Sequence, residues 1–289
     1  MDQKDDVVIG PRSSRVDPYI HDPVVLIPPG PLLELAVRMY KARKNWGMFT
    51  PARVHAASVG KRKMSFVGPA MGAPASVYVL ERLVANGAKN IIMLGLCGSI
   101  SPEVKIGDIL VPDGAFIEEG TSPHYDPDAR VSAPAGQALL ALRNVLDNSG
   151  RSYHLGHVWS IDAVFRETKE KVSAYGGQGY LGVEMETSAL FTVAAYREVH
   201  LGALLVVSDE LFDLRWKHGF TRPRFLNACR YACRLAVKAA LLLAGEEGPE
   251  AELRKEEEGG DEEGTENPWE EDSFPLQEND EDSGGDPWT

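Results

Sequence analysis

The spacing of apolar and polar residues along this chain predicts strands and helices in alternation. Uninterrupted apolar runs at residues 24–27, 91–96 and 203–207 are typical of buried strands. Apolar residues at helical spacing predict helices, of which the first covers residues 32–43 and the last covers residues 224–243. This alternation predicts a single α/β domain with a mixed sheet.

Weaker patterns fill the chain between those elements. Two turns rich in small residues stand out, GPAMGAPAS at residues 68–76 and CGS at residues 97–99. The first leads into a predicted helix, and the second follows a predicted strand. Further strands are predicted at residues 54–58, 64–67, 107–112 and 153–159, and further helices at residues 77–86, 133–148, 168–174 and 185–197.

The charge of the chain is unevenly distributed. The formal net charge of -13 comes from residues 246–289, which contain 19 Asp or Glu and 2 Lys or Arg. Residues 1–245 contain 28 basic and 24 acidic residues, which is a net charge of +4. The acidic segment has too few apolar residues to fold, so it predicts a disordered tail whose partner is unknown. Residues 1–22 predict an irregular arm, which leaves residues 23–245 as the domain that contains the candidate chemistry described below.

Composition also sets expectations about compartment and cofactors. Cys97, Cys229 and Cys233 are expected to be buried residues of a reduced protein, because no histidine cluster accompanies them. We expect neither a metal nor an organic cofactor. No segment reads as a signal peptide or is apolar enough to span a bilayer, which favours a cytoplasmic protein with no membrane partner. No basic cluster indicates a nucleic-acid partner.

Two acidic segments carry the candidate chemistry. GVEMETSAL, residues 182–190, places two glutamates around a methionine at the start of an apolar helix. LLVVSDE, residues 204–210, places a Ser-Asp pair at the end of a buried strand. Acids at strand ends and loop–helix junctions are where α/β folds keep their chemistry. Together the segments predict a pocket that binds a pair of sugar hydroxyls and protonates a leaving group.

Several segments together resemble the nucleoside phosphorylase superfamily, the branch with purine nucleoside phosphorylase, uridine phosphorylase and methylthioadenosine nucleosidase. The resemblance covers about residues 24–243, and VEMET followed by SDE is its sharpest part. It implies a three-layer α/β/α phosphorylase-like domain around a mixed, partly barrel-like sheet. It also implies a homo-oligomer with active sites near subunit interfaces. The other matching strings are VVLIPPG, GPAMGAPAS, IIMLGLCGSISPEVKIGDILVP and GTSPHY.

The resemblance assigns the sugar to the first acidic segment. Glu186 matches the glutamate that accepts hydrogen bonds from the ribose hydroxyls, and Met185 matches the methionine that packs on the sugar. Glu184 matches the acid that precedes them. A carboxylate at this place also stabilises an oxocarbenium-like sugar. The alternative is that both acids lie exposed at a helix N-terminus, where the helix dipole favours them.

The second segment is assigned to the base. Asp209 matches the aspartate that donates a proton to purine N7, for which burial must raise its pKa, and Ser208 positions it. Arg222 falls where purine-specific members keep an arginine that assists this aspartate, with a solvated or structural arginine as the equal alternative. Phe165 is a candidate for stacking on the base, or else a core residue. Uridine-specific members keep Gln and Arg near residues 168 and 170, which are Thr and Glu here, so a purine-type base is favoured.

The phosphate site does not match the resemblance. Gly30 and Gly98 lie in matching turns and are expected to contact the substrate. The arginine expected after the first strand is replaced by Glu34 or Leu33, depending on a one-residue shift. The second arginine is replaced by Met93, and the neighbouring Ser or Thr by Leu96. A phosphate dianion would meet an apolar wall there, which is electrostatically unfavourable. A single cation from a neighbouring subunit, at residue 43, 44 or 53, is a poor replacement for the two missing arginines.

These observations predict an enzyme that cleaves the N-glycosidic bond of a purine-type nucleoside, with phosphate or water as co-substrate. Hydrolytic members activate water with a glutamate from the first loop, so Glu34 is the candidate for that role, against an ordinary first-turn helix glutamate. The alternative is a nucleoside- or nucleotide-binding protein on the same fold that has lost catalysis. The retained Glu186 and Asp209 favour the enzyme, because binding alone needs no protonated acid.

Overall fold

The structure is a computed structural model that describes residues 7–47, 49 and 51–245. The predicted acidic tail and the first six residues of the predicted arm lie outside these ranges. The strands are β1 (Val24–Leu26), β2 (Arg43–Lys44), β3 (Arg53–Val59), β4 (Arg62–Gly68), β5 (Asn90–Ser99), β6 (Ile109–Ile117), β7 (Val131–Ser132), β8 (His154–Ser160), β9 (Gly182–Glu184), β10 (His200–Glu210) and β11 (Lys217–His218). The helices are α1 (Gly30–Met39), α2 (Ala73–Ala85), α3 (Gly136–Asp147), α4 (Lys169–Gly177), α5 (Thr187–Tyr196) and α6 (Pro223–Leu243).

Strand β5 is the centre of the sheet. It pairs in parallel with β10 along one edge, and along the other edge with β1 and then with the antiparallel strand β9. From β10, the pairing continues through β6, β8 and β9 and returns to β5, which closes a ring of strands. Strands β4, β3 and β2 extend from β1 as an open sheet. The predicted mixed, partly barrel-like sheet is therefore confirmed.

Helices cover both faces of the sheet. The side chains on both faces of β5 are buried beneath them. Ile92 and Leu94 point to one core, which α1, α3 and α6 complete. Ile91 and Met93 point to the other core, which contains residues of α2 and α5. Successive side chains of a strand alternate between faces, so an apolar run without polar interruption needs a helical layer on each side. The predicted three-layer α/β/α arrangement is confirmed.

The limits of the predicted helices differ in the structure; α2, for example, begins at Ala73, four residues before its predicted start. Helix α1 begins at Gly30, with a proline in its first turn, and ends at Met39, four residues before the predicted end. Lys41 then adopts a left-handed conformation with φ of 48°, which a continuing helix does not allow. Helix α5 begins at Thr187, two residues later than predicted, because Glu184 belongs to strand β9.

Four short strands were not predicted, whereas the three-residue strand β1 was, because it lies in an uninterrupted apolar run. Strands β2, β7, β9 and β11 contain two or three residues each, which is too short for an alternating pattern to be visible in the sequence. They form because longer neighbours offer unpaired backbone groups. In residues 7–47, 49 and 51–245, no helix is long and apolar enough to cross a membrane.

Candidate active site

The acidic segments meet at the end of strand β5, around Gly98. On one side Gly98 pairs with Val183 of β9, and on the other side with Asp209 of β10. The register of β10 shifts between Val207 and Asp209, so the strand is irregular where the acid stands. Irregular pairing of this kind re-aims side chains next to active sites. The two segments thus deliver their carboxyl groups to one end of the sheet from opposite sides of β5.

Glu184 joins β9 to the start of helix α5. Its Oε1 accepts a hydrogen bond from the Ser160 hydroxyl, and its Oε2 accepts from the backbone N–H groups of Glu186 and Thr187 at 2.8 and 2.7 Å. Only 4% of Glu184 is exposed. Burial raises its pKa, and the hydrogen bonds offset part of that rise. Glu184 therefore caps the helix from inside the protein and fixes the residues that follow.

Glu186 lies at the N-cap of α5 and is 6% exposed, so the exposed-helix alternative does not describe it. Its Oε1 accepts a hydrogen bond from the backbone N–H of Gly72 at 2.5 Å. Gly72 precedes helix α2 with a φ of 86°, a conformation that side chains disfavour. Burial, and then the nearby Glu184, raise the pKa of Glu186 to about 8. The small-residue turn at residues 68–76 is thereby tied to the acidic segment.

Asp209 is the half-buried acid of the second segment. Its Oδ1 accepts a hydrogen bond from the Ser208 hydroxyl at 2.6 Å, and its Oδ2 accepts from the indole Nε1 of Trp216 at 3.0 Å. Burial raises the pKa of Asp209, against the lowering effects of Ser208, Trp216 and His218. A carboxyl group in this state is suited to hold a proton and release it to a leaving group.

A further acid, Glu167, acts on the same group and was missed by the sequence analysis. It follows the 3₁₀ turn Val164–Arg166 after β8, and its backbone N–H donates to the Val164 carbonyl at 3.2 Å. Burial, and then the charge of Asp209, raise the pKa of Glu167 to about 8. Trp216 was missed as well. Both residues stand in polar loop sequence, where no periodic pattern indicates which side chains turn inward.

Other candidates lie at the edge of this region. Phe165 is 98% exposed because the 3₁₀ turn directs it outward, so it is not a core residue. Met185 is half-buried between the two glutamates. Arg222 is exposed at the N-cap of α6. Gly30 begins α1, where an added Cβ would lie 3.9 Å from the Cβ of Pro69 in the small-residue turn.

Glu34 faces solvent on α1, while its neighbours Leu33 and Leu35 are buried. In the part of the chain that the structure describes, no hydrogen bond or ion pair links Glu34 to Glu186 or Asp209. The position follows from the helical period, since α1 turns its apolar stripe toward the sheet and its intervening residues outward. The candidate role of Glu34 in activating water therefore gains no geometric support from the described residues.

The places of the two missing phosphate contacts on β5 are apolar. Met93 is fully buried in the core between the sheet and helices α2 and α5, and Leu96 is half-buried against the opposite core. The cations considered as replacements, Arg43, Lys44 and Arg53, are all exposed. Within the described part of the chain, the two β5 positions therefore offer a phosphate dianion no charged partner.

Gly98 has no room for a side chain, so a substitution at this position tests the geometry of the site. An added Cβ would lie 2.5 Å from Leu211 Cδ1 and 3.0 Å from Asp209 Oδ2. We expect Gly98→Ala to displace Asp209 and reduce turnover at least ~10-fold, since misplacing a catalytic group by a fraction of an ångström is costly. Gly136→Ala is the matched control, because an added Cβ there meets nothing within 4 Å. Equal turnover in both variants would show that Gly98 does not shape the site.

The chain has recognisable relatives. Residues 29–240 match the family described as the Phosphorylase superfamily. The DeoD-type purine nucleoside phosphorylases of Bacillus thuringiensis (strain Al Hakam) and Bacillus cereus (strain AH187) are each 37% identical over 161 residues. That alignment covers 53% of this chain and 66% of each relative, just under two thirds of their length.

Solved structures agree with the fold. Uridine phosphorylase from Vibrio fischeri ES114 superimposes with a TM-score of 0.67 at 24% identity, covering 80% of this chain and 94% of that one. Its complex with 6-hydroxy-1-naphthoic acid gives 0.68 at 23% identity, covering 80% and 93%. At this identity the likeness concerns the fold alone. Because the family match spans well over half of the sequence, this chain belongs to the phosphorylase superfamily.

Proposed function

We propose that this protein cleaves the N-glycosidic bond of a purine-type nucleoside, and that water is the nucleophile. The observation that carries the proposal is the pair of acids at the end of β5, half-buried Asp209 and buried Glu186, each with a raised pKa. Enzymes tune carboxyl groups upward in this way when they must hold a proton near neutral pH. The DeoD-type relatives, named as purine nucleoside phosphorylases, support the purine-type substrate.

In the proposed reaction the bond from C1′ of the sugar to the base nitrogen breaks, and its electron pair leaves with the base. Asp209 donates its proton to the base, which makes the base a better leaving group. Glu186 accepts hydrogen bonds from the ribose hydroxyls with the unprotonated oxygen of its carboxyl group, which orients the sugar as the bond breaks. Water adds to C1′ and gives up one proton, which restores the proton balance when Asp209 is protonated again.

Water is favoured over phosphate by the apolar substitutions. Placing a phosphate dianion beside Met93 and Leu96 would remove it from water without a compensating charge, a cost of several kcal/mol. A water molecule needs no such cation. Glu34 has no role in the proposed reaction, because its side chain faces solvent.

Phosphate dependence tests the proposed nucleophile. Pure protein is incubated with inosine, adenosine or methylthioadenosine, with and without inorganic phosphate, and free base and sugar products are separated by chromatography. We expect the release of base at equal rates in both conditions, with free sugar as the second product. Turnover that requires phosphate, with a sugar 1-phosphate as product, would overturn the hydrolytic proposal and leave the glycosidic cleavage intact.

The second candidate is a nucleoside-binding protein without turnover. The loss of the cationic phosphate site favours it, because the best-known reaction of such a fold needs that site. Binding of the nucleosides by calorimetry without release of base in either condition would support this alternative.

A further inference from the structure

We propose that Trp216 is the positioning residue of Asp209, a role that rests on the proposed function. Its indole N–H holds the oxygen of Asp209 that faces the site, and it stabilises the carboxylate that remains after the proton has passed to the base. The family resemblance predicts that an arginine, Arg222, has this role. The structure instead supplies a neutral donor.

The two oxygens of Asp209 have different surroundings. Oδ1 is engaged by the neighbouring Ser208 hydroxyl, which also lies 3.2 Å from the Cys97 carbonyl oxygen inside the sheet. Oδ2 lies over Gly98, where an added Cβ would be 3.0 Å away. Trp216 donates to Oδ2. The indole therefore contacts the oxygen directed toward Gly98, where the two acidic segments meet.

The loop that carries Trp216 is fixed at both ends. Strands β10 and β11 pair across it, with Asp209 opposite His218. The backbone N–H of Leu211 donates to the Ser99 carbonyl at 2.8 Å, and that of Gly219 donates to the Ser208 carbonyl at 2.8 Å. The rings of Trp216 and His218 pack with centroids 5.4 Å apart. Although Trp216 is 61% exposed, its N–H is directed inward by this framework.

The charged surroundings explain why a neutral donor suits the reaction. The titratable groups that act on Asp209 or share its surroundings are Glu167 after β8, His218 of β11, Cys97 of β5 and Glu184 of β9. Arg222 is exposed, and among the residues that the structure describes no hydrogen bond or ion pair links its side chain to Asp209. An adjacent guanidinium would favour the anion before catalysis, whereas an indole lets burial keep the proton in place. Once the proton leaves, the N–H bond to the new charge becomes stronger.

The test measures the titration of Asp209 directly, by ¹³C NMR of labelled aspartate carboxyl groups in the full-length protein. The Asp209 signal is assigned as the one missing in Asp209→Asn. In Trp216→Phe, loss of the donor destabilises the anion, so we expect the titration midpoint to move to higher pH. Leu214→Ala, on the same loop, is the control for a disturbed loop and should titrate as wild type. A wild-type titration in Trp216→Phe, or an upward shift in Arg222→Ala instead, would overturn the proposal.

Turnover provides the second readout. With one charge-assisted hydrogen bond lost, we expect Trp216→Phe to be roughly 10-fold slower at its optimum, with the alkaline fall of its pH profile at higher pH. A uniform loss of rate with an unchanged profile would indicate a structural role and contradict the proposal. Absence of turnover in wild type would refute the proposed function, and the NMR titration would still decide the role of Trp216.

Discussion

Asp209→Asn is expected to retain nucleoside binding and to lose turnover by roughly 10²- to 10⁴-fold, the usual contribution of a general acid. The amide keeps the size of the side chain and an oxygen that accepts from Ser208 or Trp216, so the local structure should persist. It cannot donate a proton to the departing base as a carboxylic acid does. The measurement is the rate of base release, with binding followed by calorimetry.

Glu210→Gln is the matched control for this variant. Glu210 is the next residue on β10, and its Oε1 accepts a hydrogen bond from the backbone N–H of Ile106 at 3.1 Å, which an amide oxygen can also accept. Its rate should stay close to that of wild type. If Asp209→Asn also kept the wild-type rate, the assignment of the general acid would be wrong. If both variants and wild type bound nucleoside without turnover, the binding-protein alternative would stand.

Glu186→Gln is expected to raise stability at alkaline pH while it impairs turnover. The pKa of Glu186 lies at about 8 in the folded protein, above its ordinary value of 4.5. Between these two pH values the unfolded chain binds fewer protons than the folded one, so the free energy of unfolding of wild type falls as pH rises. Glutamine does not titrate and its oxygen can still accept from Gly72. The variant should therefore gain ~2–4 kcal/mol relative to wild type between pH 4.5 and 8.

Denaturant unfolding of both proteins at several pH values measures this gain. Acids that do not interact with Glu186, such as Glu167, lower the stability of both proteins alike, so the difference reports Glu186 together with its neighbour Glu184. Glu103→Gln, at an exposed position, should follow wild type at every pH. A difference between Glu186→Gln and wild type that stays constant from pH 5 to 8 would show that Glu186 does not hold a proton in the folded state. Active sites commonly lose some folding stability because they keep an acid protonated for catalysis.

The long elements could be predicted because they satisfy strong local patterns. Strands β5 and β10 combine apolar composition with burial on both faces, and α6 repeats apolar residues at helical spacing over 21 residues. The limits of α5 could not be predicted, since its first residues are set by hydrogen bonds from the Glu184 side chain. Strand β9 exists only because β5 and β8 hold it between them.

The sequence by itself determined the alternation of the fold, the family resemblance and the acids at strand ends, because these depend on residue type and spacing along the chain. Only the tertiary structure decided which side chains share the site. It buried Glu184 and Glu186, brought Glu167 and Trp216 to Asp209, and left Glu34 in solvent. The reason is that a pKa and a hydrogen bond depend on neighbours in space, and loop residues acquire those neighbours only when the strands around them have closed into a ring.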